Sequence, residues 1–353
     1  MRRILLAMSV VLAASTLLAD TSRSREALRF DSCDDLNQYL GARQPNEHVV
    51  LAPATYDCKE PPQLAADGLI VDFGGALLRV ADHALRPGIV VGDLHTPARK
   101  RSRDVTVLNL RVDGNRANQE FECWDGPCNP TANDNPYWQQ RLNGVTVNGC
   151  DGCVLRNIHV TAARSGGVVV IGSTGLLIDG LDAEGAHFDG LAGYVTSDSV
   201  FRNVRVHHNE YAGFSFDLDF VNNRIEDFVS SNNRDHGVFI RYATGNTFAR
   251  GSFTDNLQSG VYLDRADADD ATCAIGTRFE DVTVRGSGLY GAWLDFGCPG
   301  NEFVSAQLVD NAQGCFGGLH ADRIGRSEDT RCVAPAPGQP GETVQARPDE
   351  IEG

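Results

Sequence analysis

Past residue 18, no stretch of this 353-residue chain approaches the roughly 20 apolar residues that cross a bilayer. No membrane span is expected. Positive charge is also scarce: 31 Lys and Arg stand against 47 Asp and Glu, a formal net charge of −16. That balance excludes nucleic acid and anionic membrane surfaces as partners. It would also repel a polyanionic sugar unless local arginines or a bound cation offset it. The spacing Cys150-Asp-Gly-Cys153 has no second CxxC and no nearby histidine ligands, so zinc-knuckle and redox-pair readings fall away and no residue is assigned to a metal. A helical period is absent from nearly all of the chain, which excludes bundle and α/β folds.

What is present begins with Arg2-Arg3, an apolar run from Ile4 to Leu18, and Ala19-Asp20. This pattern predicts a secretory signal peptide over residues 1–19 and a secreted or periplasmic mature chain. Ten cysteines fit an oxidising compartment. Proximity in sequence suggests the pairs Cys33–Cys58, Cys123–Cys128, Cys150–Cys153, Cys273–Cys298 and Cys315–Cys332.

Glycines at 144, 167, 190, 213, 237 and 260 recur every 23 or 24 residues, each opening a short β-prone segment; Gly291 and Gly318 continue the series after longer gaps. A period of this length means stacked units sharing one core. Asn209, Asn233 and Asn256 repeat at one turn, with Asn311 later and Ser287 between, and predict a hydrogen-bonded ladder. The expected fold is all-β: a right-handed parallel β-helix of about nine to eleven rungs over residues 20–332. Ser32 ahead of Cys33-Asp-Asp-Leu-Asn-Gln-Tyr-Leu predicts a short capped helix over its N-terminal end. Residues 115–143 read as a long ordered loop forming a wall over a groove. Residues 333–353, rich in Pro, Gly and Glu, read as a disordered tail.

After each glycine, positions +1 and +3 are apolar and are assigned to the core. Positions +2 and +4 then face outward and form two columns. One reads Thr146, Val169, Ala192, Ser215, Phe239, Tyr262, Trp293, His320; the other reads Asn148, Ile171, Tyr194, Asp217, Arg241, Asp264, Asp295, Asp322. Rungs about 4.8 Å apart put Asp217 within about 5 Å of Arg241 and about 10 Å from Asp264. Charges beside rings are how sugar sites are often built. The same columns also fit a solvated face or rings lying beneath the long loop. His187-Phe-Asp189, His207-His208 and Asp235-His236 supply proton carriers near the preceding turns. Asp264-Arg-Ala-Asp-Ala-Asp-Asp270 offers hard oxygen ligands for calcium without the glycine and glutamate of an EF-hand loop.

Leu110-Arg-Val-Asp-Gly-Asn-Arg116, the glycine-led strands, and Asp189-Gly-Leu with Asn233-Arg-Asp-His-Gly237 resemble bacterial mannuronan epimerases and the wider pectate-lyase-like β-helix superfamily over residues 35–320. The resemblance implies groove roles for Asp113, Arg116, Asp189, Arg234 and His236. In those epimerases one rung carries Tyr-Gly-Phe-Asp-Pro-His-Glu; the corresponding rung here, Gly166 to Ser173, has no histidine, carboxylate or tyrosine. The reading from the sequence is a secreted, monomeric, polysaccharide-binding protein that cleaves or modifies its ligand. As a lyase it would use Arg241 with His236, His187 or Tyr194; as a hydrolase it would use Asp217 and Asp264. The alternative is a non-catalytic polysaccharide platform.

Overall fold

Successive glycine-led strands pair in parallel and in register throughout the computed structural model, which describes residues 26–95, 98–120, 141–265 and 272–333. Ten strands, from Gln63–Leu64 to Gly314–Gly317, form one face of the solenoid. A fifteen-stranded sheet forms the rest of its main wall, with smaller two- and three-stranded ladders at a corner. Residues 1–19, expected to be a signal peptide, the expected pair Cys123 and Cys128, most of the long loop and all but Val333 of the expected tail lie outside the described residues. Among the described residues no helix is long and apolar enough to cross a membrane.

The glycine period has a steric cause. A Cβ at Gly167, Gly213 or Gly237 would lie 2.6, 2.9 or 2.5 Å from the carbonyl oxygen of Gly190, Gly237 or Gly260, one rung further on. Only glycine lets the chain turn into the next strand at that distance. Gly88 belongs to the series, because its Cβ would meet the Gly144 carbonyl at 2.6 Å. Gly318 does not. Gly291 lies against the Cys315 carbonyl and Trp293 pairs with Gly317, so Gly318 falls outside the register. His320 and Asp322 consequently sit in the terminal turn around Ala321–Arg323, not in the outward columns.

On the opposite wall each full rung carries an eight-residue strand, such as Val200–His207 or Arg224–Ser231. Its second, fifth and seventh side chains are buried, except that Gly251 stands fifth in Thr247–Thr254, and strict alternation is broken by one left-handed residue: Asn157, Gly180, Asn203, Asp227, Arg250 or Asp281. Each of these strands therefore turns a corner and supplies two of the three sides of a rung. The interior is filled by stacked aromatics: Phe248 lies 5.2 Å from Phe279, which lies 4.6 Å from Phe303. Such rings contribute about 1.5–3 kcal/mol each on full burial.

Where strands turn, backbone N–H groups need partners. The asparagine ladder supplies them. Asn233 Oδ1 accepts from the Asn209 N–H at 3.1 Å and Nδ2 at 3.0 Å, and Asn256 Oδ1 accepts from the Asn233 N–H and Nδ2. Asn311 caps Ser287 in the same way, and Asn143 caps Gly166. A second ladder, Ser199, Asn223 and Asn246, runs at another corner. The capping helix forms at Cys33–Gly41, with the Ser32 hydroxyl accepting from the Asp35 N–H. Disulfides join Cys33 to Cys58, Cys150 to Cys153, Cys273 to Cys298 and Cys315 to Cys332.

Replacing Asn233 by Ala strips the buried Asn209 amide of its acceptor. At about 1–3 kcal/mol per orphaned buried group, urea unfolding of Asn233→Ala is expected to show a loss in that range. Exposed Asn232→Gly should change stability far less; equal losses would contradict the ladder.

Candidate functional site

The strand alternation that fills the core sends Val169, Ile171, Ala192, Tyr194, Ser215, Asp217, Phe239 and Arg241 away from it. The first three, with Tyr194 against them, form a small apolar cluster separate from the main core. They were expected to face solvent; instead Val169, Ala192, Ser215 and Asp217 are buried. They line a cavity of about 830 Å³ together with Phe188, Asp189, Tyr211, Asp235, Arg101 and Arg141.

Asp217 is held on both oxygens. Its Oδ2 accepts from Arg241 Nε at 2.6 Å, and its Oδ1 accepts from the Leu218 N–H at 2.7 Å. The one-rung juxtaposition read from the sequence is therefore present, as a closed ion pair. The Arg241 guanidinium lies 5.4 Å from the Phe239 ring centre. Phe239 stacks on Tyr262 at 5.5 Å, and Tyr262 on His236 at 4.4 Å.

Asp189 stands one residue before a strand-opening glycine, at the cavity wall. Its carboxyl opens on the cavity yet is enclosed by protein. Burial, then repulsion from Asp235, pushes its pKa up to about 7. The Ala212 N–H, donating to Oδ1 at 3.0 Å, and the Arg141 charge oppose that rise only in part. The Arg141 guanidinium sits 4.1 Å over Phe188, which stacks on Tyr211 at 4.5 Å. The Tyr194 phenol, half-buried and close to Asp189, holds its proton well above the ordinary range, chiefly through desolvation.

Asp235 occupies the equivalent turn two rungs on, beside His236. The Nδ1 of His236 accepts from the Ser259 N–H at 3.1 Å, leaving the ring proton on Nε2, which faces Asp235 at 3.4 Å.

The other residues singled out in the sequence fall in three places. Tyr262, Asp264, Trp293 and Asp295 continue the columns beyond the cavity. There the Tyr262 hydroxyl donates to Asp295 at 3.2 Å, and Asp264 is raised above its usual range chiefly by burial. His187, Arg116 and Arg234 converge on Glu210. His187 Nδ1 lies 3.0 Å from it, Arg234 lies 3.9 Å from it, and Arg116 pairs with it directly. Asp113 ends a strand of the opposite sheet, where it accepts from the Asn115 N–H and faces Arg79. It shares neither cluster. Of the stretch expected to offer calcium ligands, residues 266–270 lie outside the described residues.

Glu210, Arg141 and Tyr211 had no signal in the column positions. Tyr211 and Glu210 precede Gly213 by two and three residues, as Phe188 and His187 precede Gly190; reading the turn positions as stacks would have found them.

The fold is shared with a polygalacturonase from Erwinia carotovora ssp. carotovora, at 10% identity over 90% of this chain and 98% of that one, with a TM-score of 0.51. A periplasmic alginate epimerase, AlgG, aligns at 11% identity over 88% and 84% of the two chains, with a TM-score of 0.45. The A-module of the Azotobacter vinelandii mannuronan C-5 epimerase AlgE6 aligns at 15% identity over 85% and 93%, also with a TM-score of 0.45. At these identities the likeness is one of fold. No curated protein matches the chain. The architecture is a right-handed parallel β-helix. The model of the right-handed beta helix region matches residues 100–227 and, overlapping them, 143–308, and the chain belongs to that family.

Proposed function

We propose that this is a secreted or periplasmic carbohydrate-active enzyme that binds part of a polysaccharide in the cavity and hydrolyses a glycosidic bond. Asp189 is the general acid and Asp235 the general base. The carrying observation is Asp189: a cavity-facing carboxyl whose proton is held to about pH 7 beside a second carboxylate. A glycosidic oxygen needs such a proton, and a second carboxylate activates water from the other side. Two rungs separate the residues by about 10 Å at the backbone. That leaves room for the intervening water and favours inversion, for which the carboxyl groups stand about 6.5–9.5 Å apart.

The acid and base assigned to Asp217 and Asp264 move in this reading to Asp189 and Asp235. Asp217 instead holds Arg241, so that guanidinium is already paired rather than poised to neutralise a uronate. The raised Tyr194 phenol is a poor base. Both points favour hydrolysis over β-elimination. Tyr211 and Phe239 supply ring surface for a pyranose. The disulfides and the basic-then-apolar N-terminus support export. One observation favours the non-catalytic platform: Val169, Ile171 and Ala192 make much of the cavity wall apolar.

Purified protein given neutral and uronate polysaccharides, with and without calcium, should release reducing ends without unsaturated uronate. Asp189→Asn should lower kcat about 10²–10⁴-fold with binding changed little. Binding without product in the wild type would instead support the platform, and an unsaturated product would overturn the hydrolase reading.

The acid sets the alkaline limb. kcat/KM should fall tenfold per pH unit above about 7 as Asp189 deprotonates. The stability sign is opposite to that of an ordinary carboxylate. Its folded pKa lies above the usual 3.8, so the folded state binds more protons between about 4 and 7, and stability falls as pH rises through that window. Thermal melts should show Asp189→Asn gaining on the wild type as pH rises from 4 to 7, with no further gain above; a constant gap would contradict the shift.

A further inference from the structure

We propose that Glu184, His207 and His208 form a binding site for a zinc-like divalent cation on the outside of the solenoid, apart from the cavity. The register builds it. Glu184 and His207 end adjacent strands and pair across them, and His208 begins the turn that follows. One ligand atom from each of the three lies within 4.8 Å of the others. His207 Nδ1 faces His208 Nδ1 at 2.8 Å and Glu184 Oε2 at 3.7 Å.

Two features point to a cation rather than to a fortuitous surface group. First, His207 is buried, and its Nε2 lies 2.9 Å from Asp182 Oδ1, which accepts its proton. A histidine that gives one ring N–H to a carboxylate presents the other nitrogen as a lone pair, the arrangement that orients metal-bound imidazoles. That lone pair points at His208 Nδ1. A bare pair holds such a contact only if His208 donates a proton; a shared cation takes both lone pairs. Second, His208 occupies a left-handed slot (φ 55°) whose equivalents are Ala162, Gly185, Asn232, Asp255 and Gly286. Small residues and turn formers satisfy that backbone, and nothing in the turn calls for an imidazole.

Two imidazoles and a carboxylate suit zinc and its transition-metal neighbours rather than calcium, which takes six to eight oxygens. Three protein ligands leave a fourth position for water. With Zn–N distances of about 2.0–2.1 Å in a tetrahedral site, the two Nδ1 atoms would stand about 3.3 Å apart. Binding therefore opens the observed contact by about half an ångström.

Isothermal titration of untagged, chelator-stripped protein with zinc chloride tests the site. One equivalent should bind, with no calcium bound there. His208→Asn, the residue of the next rung, and His207→Ser, likewise taken from the next rung, should each weaken binding tenfold or more. Asp182→Asn should weaken it about 10–100-fold through the orientation of His207. A zinc-dependent rise in Tm should vanish in His208→Asn, whose fold should remain intact by circular dichroism. Absence of stoichiometric zinc binding by the wild type, or undiminished binding by a folded His208→Asn, overturns the proposal.

Discussion

The contact between each strand-opening glycine and the carbonyl oxygen one rung on is the constraint from which the rest of the molecule follows. A side chain there would meet the backbone carbonyl and, at Gly144, Gly190, Gly213 and Gly260, a core or ladder side chain closer still. The turn can therefore close only where glycine stands, and the register of the whole face is pinned at those points. With register fixed, phenylalanines stack inside, asparagines stack at the turns, and the outward side chains fall into columns. The ladders then satisfy the amides that turning leaves unpaired, which a buried corner cannot do with water.

That geometry accounts for how much of the protein its sequence discloses. The 23- and 24-residue spacing named the solenoid, the number of its rungs and the Asn209–Asn233–Asn256 ladder, because each depends on one residue type recurring at one spacing. The series failed at Gly318. Its glycine serves a left-handed terminal turn (φ 93°) against the Leu294 carbonyl, and spacing alone does not separate that use from a strand opening. The eight-residue strands are hard to see in the sequence because a single left-handed residue interrupts the alternation while hydrogen bonding continues through it.

The site was legible in direction and less so in content. Alternation correctly sent Asp217 and Arg241 outward and together. It carried no information on what lies over them, so a face expected to meet water is instead the floor of a cavity. The residues that most shape the chemistry, Asp189, Asp235 and Arg141, stand in turns and walls, where no two-residue period applies. Asp189 gains its character from enclosure and from a like charge two rungs away, neither of which any local pattern encodes. Glu210, drawing Arg116, His187 and Arg234 to itself, redirects three expected groove residues into an ion cluster beside the cavity.

The proposed chemistry therefore rests on the protonation of one carboxyl group. Carbon-detected NMR titration of the Asp189 side chain measures it directly, in the wild type and in Asp235→Asn. A midpoint near 7 that falls when the Asp235 charge is removed is the predicted result. A midpoint near 4, unmoved by that substitution, would contradict it.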